Sequence, residues 1–144
     1  MDIKYRKAKV GDVSFIIGFL KSVSGNIEDI DAGQFLIAED GDKIIGCVRI
    51  QNKDGNFKLA SLAVLQDYRK RGIGTALIAK ILEDNRERPV YLFCNIKNQG
   101  FYEKFGFKKI EVGDMPDVLQ KDYNKLLNSN FAGNIKLLVA MVLL

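Results

Sequence analysis

Histidine and tryptophan are absent from this chain of 144 residues, and cysteine and proline occur only twice each. Without histidine, neither a Ser-His-Asp triad nor a Cys/His zinc site can be assembled. Cys47 and Cys94 form no CxxC pair, so a dithiol redox motif and a disulfide framework are excluded as well. Each cysteine lies in a strand-like apolar run and reads as a small buried hydrophobe. Lone cysteines of this kind fit reducing, cytoplasmic surroundings. Long apolar runs are missing too. The stretch IKLLVAMVLL at the end is far shorter than the ~20 residues that span a bilayer, and reads as a buried strand. The start, MDIKYRKAKV, is too polar for a signal core. No repeat or low-complexity linker interrupts the chain, so a single domain over 1–144 is expected.

What is present is an ordinary globular balance, with 47% hydrophobic and 28% charged residues, enough to bury a full core. The net charge of +4 is modest and suits an anionic ligand as readily as nucleic acid.

Residues 3–8 alternate loosely and predict a strand. Asp12 can cap a helix carrying Val13, Ile16, Ile17, Leu20 and Val23 on one face, with Gly25 as its stop. The runs QFLIAE, KIIGCVRIQ and FKLASLAVL follow, separated by Asp40-Gly41 and Asp54-Gly55, which is hairpin chemistry. They predict an antiparallel meander. Ile73, Leu77, Ile78, Ile81 and Leu82 form a helical stripe. Beyond Pro89 come a buried run VYLFCN, a short helix NQGFYEKFG ending at Gly106, and a strand FKKIEV. Pro116 can open a helix bearing Leu119, Tyr123, Leu126 and Leu127, before the terminal strand. This order predicts a mixed α/β (α+β) fold with helices on the faces of a mostly antiparallel sheet.

The chemistry concentrates in QDYRKRGIGTALIAKIL, residues 66–82. The first amides of a helix have no intrahelical partner, and the helix dipole adds positive charge there. Glycine lets a bulky anion approach the backbone. A strand, a glycine turn and a helix start therefore make a phosphate site, to which Arg69 and Arg71 can add charge-assisted bonds. The stretch lacks the GxxxxGK[ST] of a Walker A loop and the third glycine of a dinucleotide fingerprint. The same residues also suit a solvated loop with a simple turn.

The wider stretch LASLAVLQDYRKRGIGTALI resembles the acetyl-CoA-binding motif of the GNAT N-acetyltransferase superfamily, a strand followed by R/Q-x-x-G-x-G/A. The motif falls on Arg69, Lys70, Arg71, Gly72, Ile73 and Gly74. NIKNQGFYEKFGFKK is similar to a second family motif, carried by Asn95, Tyr102, Gly106 and Phe107. The two occur in the family's order. The resemblance implies that acetyl-CoA is the cosubstrate, with its pyrophosphate on the amides of Arg71, Gly72, Ile73, Gly74 and Thr75. It implies a bulged strand whose Leu62, Ala63 and Val64 lie beside the pantetheine arm and the thioester. Asn95 joins the cofactor contacts, and Tyr102 takes the place of the general acid for the departing thiolate. Phe101, Phe105 and Phe107 read as core, and a packed aromatic is the plainer reading of Tyr102 itself.

The pattern fails at one position that matters. Family members often carry a Glu as general base eleven residues before the motif Arg, and that position is Lys58. Lys58 reads either as a ligand for a substrate carboxylate or as a solvated strand-edge lysine. Glu28, Asp29, Asp31, Asp114 and Asp117 remain as other candidate bases. The expected activity is acetyl transfer from acetyl-CoA to a small-molecule or peptide amine by direct attack in a ternary complex, since no Cys or Ser sits beside a His. The alternative is a catalytically weak module of the same fold that binds acyl-CoA as a signal. No metal, nucleic acid or membrane partner is expected, and a homodimer is left open. Residues 113–133 stand as a candidate wall of the acceptor pocket.

Overall fold

The computed structural model describes residues 2–23, 25–129 and 137–144. Their elements are β1 (Ile3–Lys7), α1 (Val13–Ser22), β2 (Phe35–Asp40), β3 (Lys43–Lys53), β4 (Asn56–Val64), α2 (Ile73–Asp84), β5 (Val90–Asn95), α3 (Gln99–Glu103), β6 (Lys108–Ile110), α4 (Asp117–Leu127) and β7 (Leu138–Leu143). Short 3-10 turns punctuate them. The fold is the mixed α/β, mostly antiparallel one that the element order predicts. The chain divides into two compact units.

The first unit comprises Met1–Ile50 and Ala60–Arg86. Its strands run in the order β1-β2-β3-β4. β1 and β2 pair antiparallel with Tyr5 opposite Ala38, and β2 and β3 with Ile37 opposite Cys47. Each residue of β3 from Ile44 to Gln51 is buried, as expected for a strand covered on both faces. The stripe of α2 is buried at all five predicted positions. On α1 the buried residues are Ile16, Phe19 and Leu20, whereas Val23 is exposed because the helix ends at Ser22. Ile16, Phe19 and Leu20 join Phe35, Ile37, Ile44 and Cys47 in one apolar cluster.

Two details of α1 differ from the sequence reading. Asp12 occupies the cap position but makes no side-chain cap bond to α1. Its carboxylate instead accepts from the Arg6 guanidinium at 2.9 and 3.1 Å and from the Lys9 amide at 2.7 Å. Those bonds, Arg6 first, hold it below the usual carboxylate range. Gly25 acts as a stop through close approach. Its amide donates to the Leu20 carbonyl at 2.6 Å, and a Cβ at Gly25 would lie 2.8 Å from Leu20 Cδ2.

The second unit comprises Gln51–Leu59 and Glu87–Leu144. Asp54 and Gly55 turn the β3–β4 hairpin with φ of 53° and 84°, the left-handed pair of a tight hairpin turn. The start of β4 pairs parallel with β5, Phe57 opposite Val90 and Lys58 opposite Tyr91. β5 pairs antiparallel with β7, and β7 with β6, so the order is β4-β5-β7-β6. The terminal strand is described from Leu138; Ile135 and Lys136 of the expected run lie outside the described residues. Leu119 and Tyr123 of α4 pack with Tyr91, Met115, Leu138, Ala140 and Val142, with Leu126 and Leu127 at the margin. The Tyr123 hydroxyl donates to the Leu138 carbonyl at 3.0 Å. α3 is shorter than the expected 98–106 because residue 98 closes a 3-10 turn and residues 104–106 form a turn, where Gly106 takes φ 98°. No helix among the described residues is long and apolar enough to cross a membrane.

Gly46 of β3 sets the approach of the first unit's strands. A Cβ there would meet the Ala63 carbonyl at 3.1 Å and Leu77 Cδ1 at 3.3 Å. Gly46→Val should therefore lower unfolding free energy by about 1–3 kcal/mol through overpacking, read by urea denaturation. An unchanged midpoint would contradict this packing.

Candidate functional site

The first unit builds a helix start open to an anion. Gly72 is the N-cap of α2, with φ 81° and ψ 7°, and a Cβ on it would meet nothing within 4 Å. The first helical bond runs from the Ala76 amide to the Gly72 carbonyl at 3.0 Å. The amides of Ile73, Gly74 and Thr75 thus precede the helical ladder. The Ile73 side chain is buried, so that residue offers the site only its amide. Lys70 also takes a left-handed backbone, φ 64°, a conformation that costs a residue with a Cβ about 1–2 kcal/mol. Two left-handed residues around Arg71 bend the chain sharply into the helix.

Arg69, Lys70 and Arg71 are exposed. Arg69 Nε donates to the Val64 carbonyl at 3.0 Å, tying the loop to the end of β4. The Arg71 guanidinium lies 5.5 Å over the Tyr68 ring, and the Tyr68 hydroxyl donates to Asp40 at 2.7 Å. Both arginines are therefore held at the helix mouth rather than dispersed in solvent.

Ser61 interrupts the regular pleat of β4 with φ 60°, directly before the half-buried Leu62, Ala63 and Val64. This irregularity falls where the resemblance implies a bulge. Behind it lies a residue that the sequence reading missed. Arg49 is 0% exposed. Its Nε donates to Ser61 Oγ at 2.9 Å, Nη1 to the Glu28 carbonyl at 2.9 Å and to Gln34 Oε1 at 3.1 Å, and Nη2 to the Asn26 carbonyl at 3.1 Å. The guanidinium carbon sits 5.4 Å from the Phe35 ring centre. Burial draws Arg49 down to about 10, against the pull of Cys47, Asp29 and Glu28, so it remains a cation at neutral pH. The available signal was an arginine inside the otherwise apolar KIIGCVRIQ.

The second unit holds Asn95 and Tyr102. Asn95 Oδ1 accepts from the Lys97 amide at 2.9 Å, capping the turn after β5. Tyr102 is half-buried, edge-on to Phe101 at 5.0 Å and to Phe107 at 6.1 Å. Desolvation raises its phenol above the ordinary value, with the neighbouring Cys94 thiol adding to this. Among the described residues its hydroxyl has no hydrogen-bond partner. Phe107 is core as expected, while Phe101 and Phe105 are half-buried.

Lys58 is not a solvated edge lysine. It is 7% exposed, with Nζ 3.5 Å from Asp122 Oδ2 and 4.9 Å from the Phe93 ring centre. The same Asp122 oxygen lies 3.3 Å from Lys53 Nζ. A carboxylate from α4 thus lies between two lysines, one of which stands where the family's base is expected. Asp31 accepts from the Gly33 amide at 2.9 Å and caps a turn. Glu28, Asp29, Asp114 and Asp117 are exposed.

Comparison with known proteins matches residues 31–109 to the model of the acetyltransferase (GNAT) domain, and the chain belongs to that family. It is 29% identical to an uncharacterized N-acetyltransferase of Chlorobaculum tepidum over 84% of this chain and 85% of that one. It is 32% identical to an N-alpha-acetyltransferase of Sulfurisphaera tokodaii over 54% of this chain and 58% of that one. Among solved structures, N-acetylglutamate synthase of Neisseria gonorrhoeae, complexed with coenzyme A and N-acetyl-glutamate, superposes with TM-score 0.78 at 18% identity. The match covers 99% of this chain and 35% of that one, so the chain spans about a third of the synthase. A GNAT-family acetyltransferase of Staphylococcus aureus superposes with TM-score 0.72 at 21% identity, covering 99% and 98%. At such identities the structural likeness speaks to the fold.

Both cysteines are buried and free, as their apolar surroundings predicted. Desolvation pushes the Cys47 thiol up to about 12 and the Cys94 thiol up to about 11. At pH 8 only about 10⁻³ to 10⁻⁴ of either is thiolate. Iodoacetamide should therefore leave both unmodified in the native protein and alkylate both after unfolding. Rapid alkylation of the native form would show a reactive thiol at odds with this burial.

Proposed function

We propose that the protein transfers the acetyl group of acetyl-CoA to a primary amine by direct attack in a ternary complex. The observation that carries this reading is the open start of α2, with Gly72 left-handed at the cap, the amides of Ile73 to Thr75 ahead of the first helical bond, and the turn lying within the stretch that matches the family model. The pyrophosphate is assigned to the amides of Arg71, Gly72, Ile73, Gly74 and Thr75, where backbone donors and the helix dipole act together. Arg69 and Lys70 supply positive charge at the mouth. Leu62, Ala63 and Val64 are assigned to the pantetheine arm. Asn95 is carried as a cofactor contact by the resemblance alone.

In the reaction, the neutral amine attacks the thioester carbon and forms a tetrahedral intermediate. Its collapse breaks the C–S bond and expels the CoA thiolate, while the ammonium proton leaves to water or a carboxylate. Tyr102 is carried as hydrogen-bond donor to the sulfur by the resemblance alone. A phenol raised above 10 holds its proton throughout the neutral range. Full transfer to a thiolate with pKa near 8.5 is uphill, so the role is donation of a hydrogen bond.

The acceptor follows from the position held by Lys58. With that lysine bound to Asp122, the usual base position carries no free carboxylate. A lysine ε-amine near pKa 10.4 pays about 4–5 kcal/mol to be neutral at pH 7, an α-amine near 7.8 only about 1. An α-amine is therefore the favoured acceptor class, and the description of the Sulfurisphaera relative points the same way. The same ion pair is the observation that favours the second reading, an acyl-CoA-binding module with weak turnover.

Turnover of acetyl-CoA against α-amines and ε-amines separates these readings: thiol release with α-amines is expected, and CoA binding without release would leave the binding module. Tyr102→Phe, which keeps the ring, should lower kcat about 10²-fold with acetyl-CoA Kd changed less than about threefold. A parent-like kcat would return Tyr102 to a packing role.

A further inference from the structure

The Arg49 cluster is not needed for the phosphate site, yet it contains the least exposed cation of the described chain. Its bonds have a direction. Arg49 Nε donates to Ser61 Oγ at 2.9 Å, and Ser61 Oγ in turn donates to the Asn26 carbonyl at 3.2 Å. The other guanidinium nitrogens reach the carbonyls of Asn26 and Glu28 and, at 3.5 Å, of Asp29. One planar fork therefore holds the loop after α1 and the irregular turn of β4 together. Ser61, at φ 60°, is a conformation that a non-glycine residue keeps only when its surroundings hold it. The Cys47 thiol also reaches the Ser61 carbonyl, at 3.5 Å. Gln34 Oε1, anchored by Asp31 of the neighbouring turn through the Asp31 amide at 3.4 Å, accepts from Arg49 at 3.1 Å and extends the clamp to the start of β2.

We infer that Arg49 is a positioning residue: through Ser61 and the carbonyls of residues 26–29 it locks the β4 irregularity and the loop bonded to it into one unit, so that the strand amides meet the thioester in a fixed geometry. This rests on the acetyl-transfer reading for its catalytic consequence, though not for the clamp itself. The arrangement costs the protein a buried charge. Among the described residues, carbonyls, the Ser61 hydroxyl and the Gln34 amide oxygen accept from the guanidinium, and a lysine cannot reproduce the fork. An apolar residue would pack there without building the link, so the cation is suited to registration more than to core stability.

The test uses Arg49→Lys, Arg49→Met and Ser61→Ala in the full chain, with kcat, acetyl-CoA Kd and amide hydrogen exchange measured for each. Ser61→Ala leaves the cation and its carbonyl bonds in place and cuts both the Arg49–Ser61 link and the Ser61–Asn26 bond that joins β4 to the loop, so it serves if Arg49→Met does not fold. Expected is a fall in kcat of about 10- to 100-fold, acetyl-CoA Kd within about threefold of the parent, and joint loss of protection in residues 25–29 and 61–64 while residues 76–82 keep theirs. Parent-like kcat in both Ser61→Ala and Arg49→Lys, or loss of protection in only one of the two segments, would overturn the inference. If the parent itself turns over no amine, the acetyl-transfer reading fails, and the exchange measurement still decides whether the clamp exists.

Discussion

The backbone amides at the start of α2 have no partner within the helix, and much of the first unit serves to keep them reachable. Ile73 buries its side chain and so anchors the first turn, while its N–H precedes the first helical bond. Lys70 and Gly72 take left-handed conformations that bend the chain into the helix. Arg69 ties that bend to the last carbonyl of β4, and the buried stripe from Ile73 to Leu82 fixes the helix on its sheet. A helix end with open donors is costly unless water or a ligand satisfies them. Placing cations rather than carboxylates around it selects an anion.

The buried charges are handled differently in the two units. Arg49 stays a cation and is solvated by oriented loop carbonyls and by the Ser61 hydroxyl of β4, so its bonds reach both a loop and a strand. Lys58 and Lys53 share Asp122, a point-charge arrangement that spends a carboxylate from α4. In the first case a planar fork gives geometry. In the second, one carboxylate offsets part of the charge of two compact ammonium groups. The second arrangement also explains how the protein tolerates a lysine at the position of the usual general base. The side chain is built into the second unit, with Phe93 beneath it.

The fold was legible wherever a local signal matched the final packing. The α2 stripe, the Asp54-Gly55 hairpin and the succession of strands and helices along the chain follow from periodicity and turn chemistry, and these are short-range properties. The helix start was legible too, because glycine spacing and the family motif coincide. Legibility failed where a side chain's partner is distant in sequence. Asp12 looked like a cap but is claimed by Arg6. Lys58 read as a substrate-carboxylate ligand or a solvated lysine but meets Asp122, far along the chain. Arg49 carried no signal beyond its apolar neighbours, since its carbonyl partners become adjacent only when the sheet forms. Val23 was assigned to the α1 face by periodicity, which cannot report that the helix stops at Ser22.

The central claim is that the first amides of α2 bind the pyrophosphate of CoA. A titration of the ¹⁵N-labelled protein with CoA, followed by amide chemical shifts, tests it most directly. The largest shifts are predicted at Arg71, Gly72, Ile73, Gly74 and Thr75, and inorganic pyrophosphate should move the same amides and raise the apparent Kd for CoA. Saturable CoA binding that leaves those amides unmoved would contradict the account.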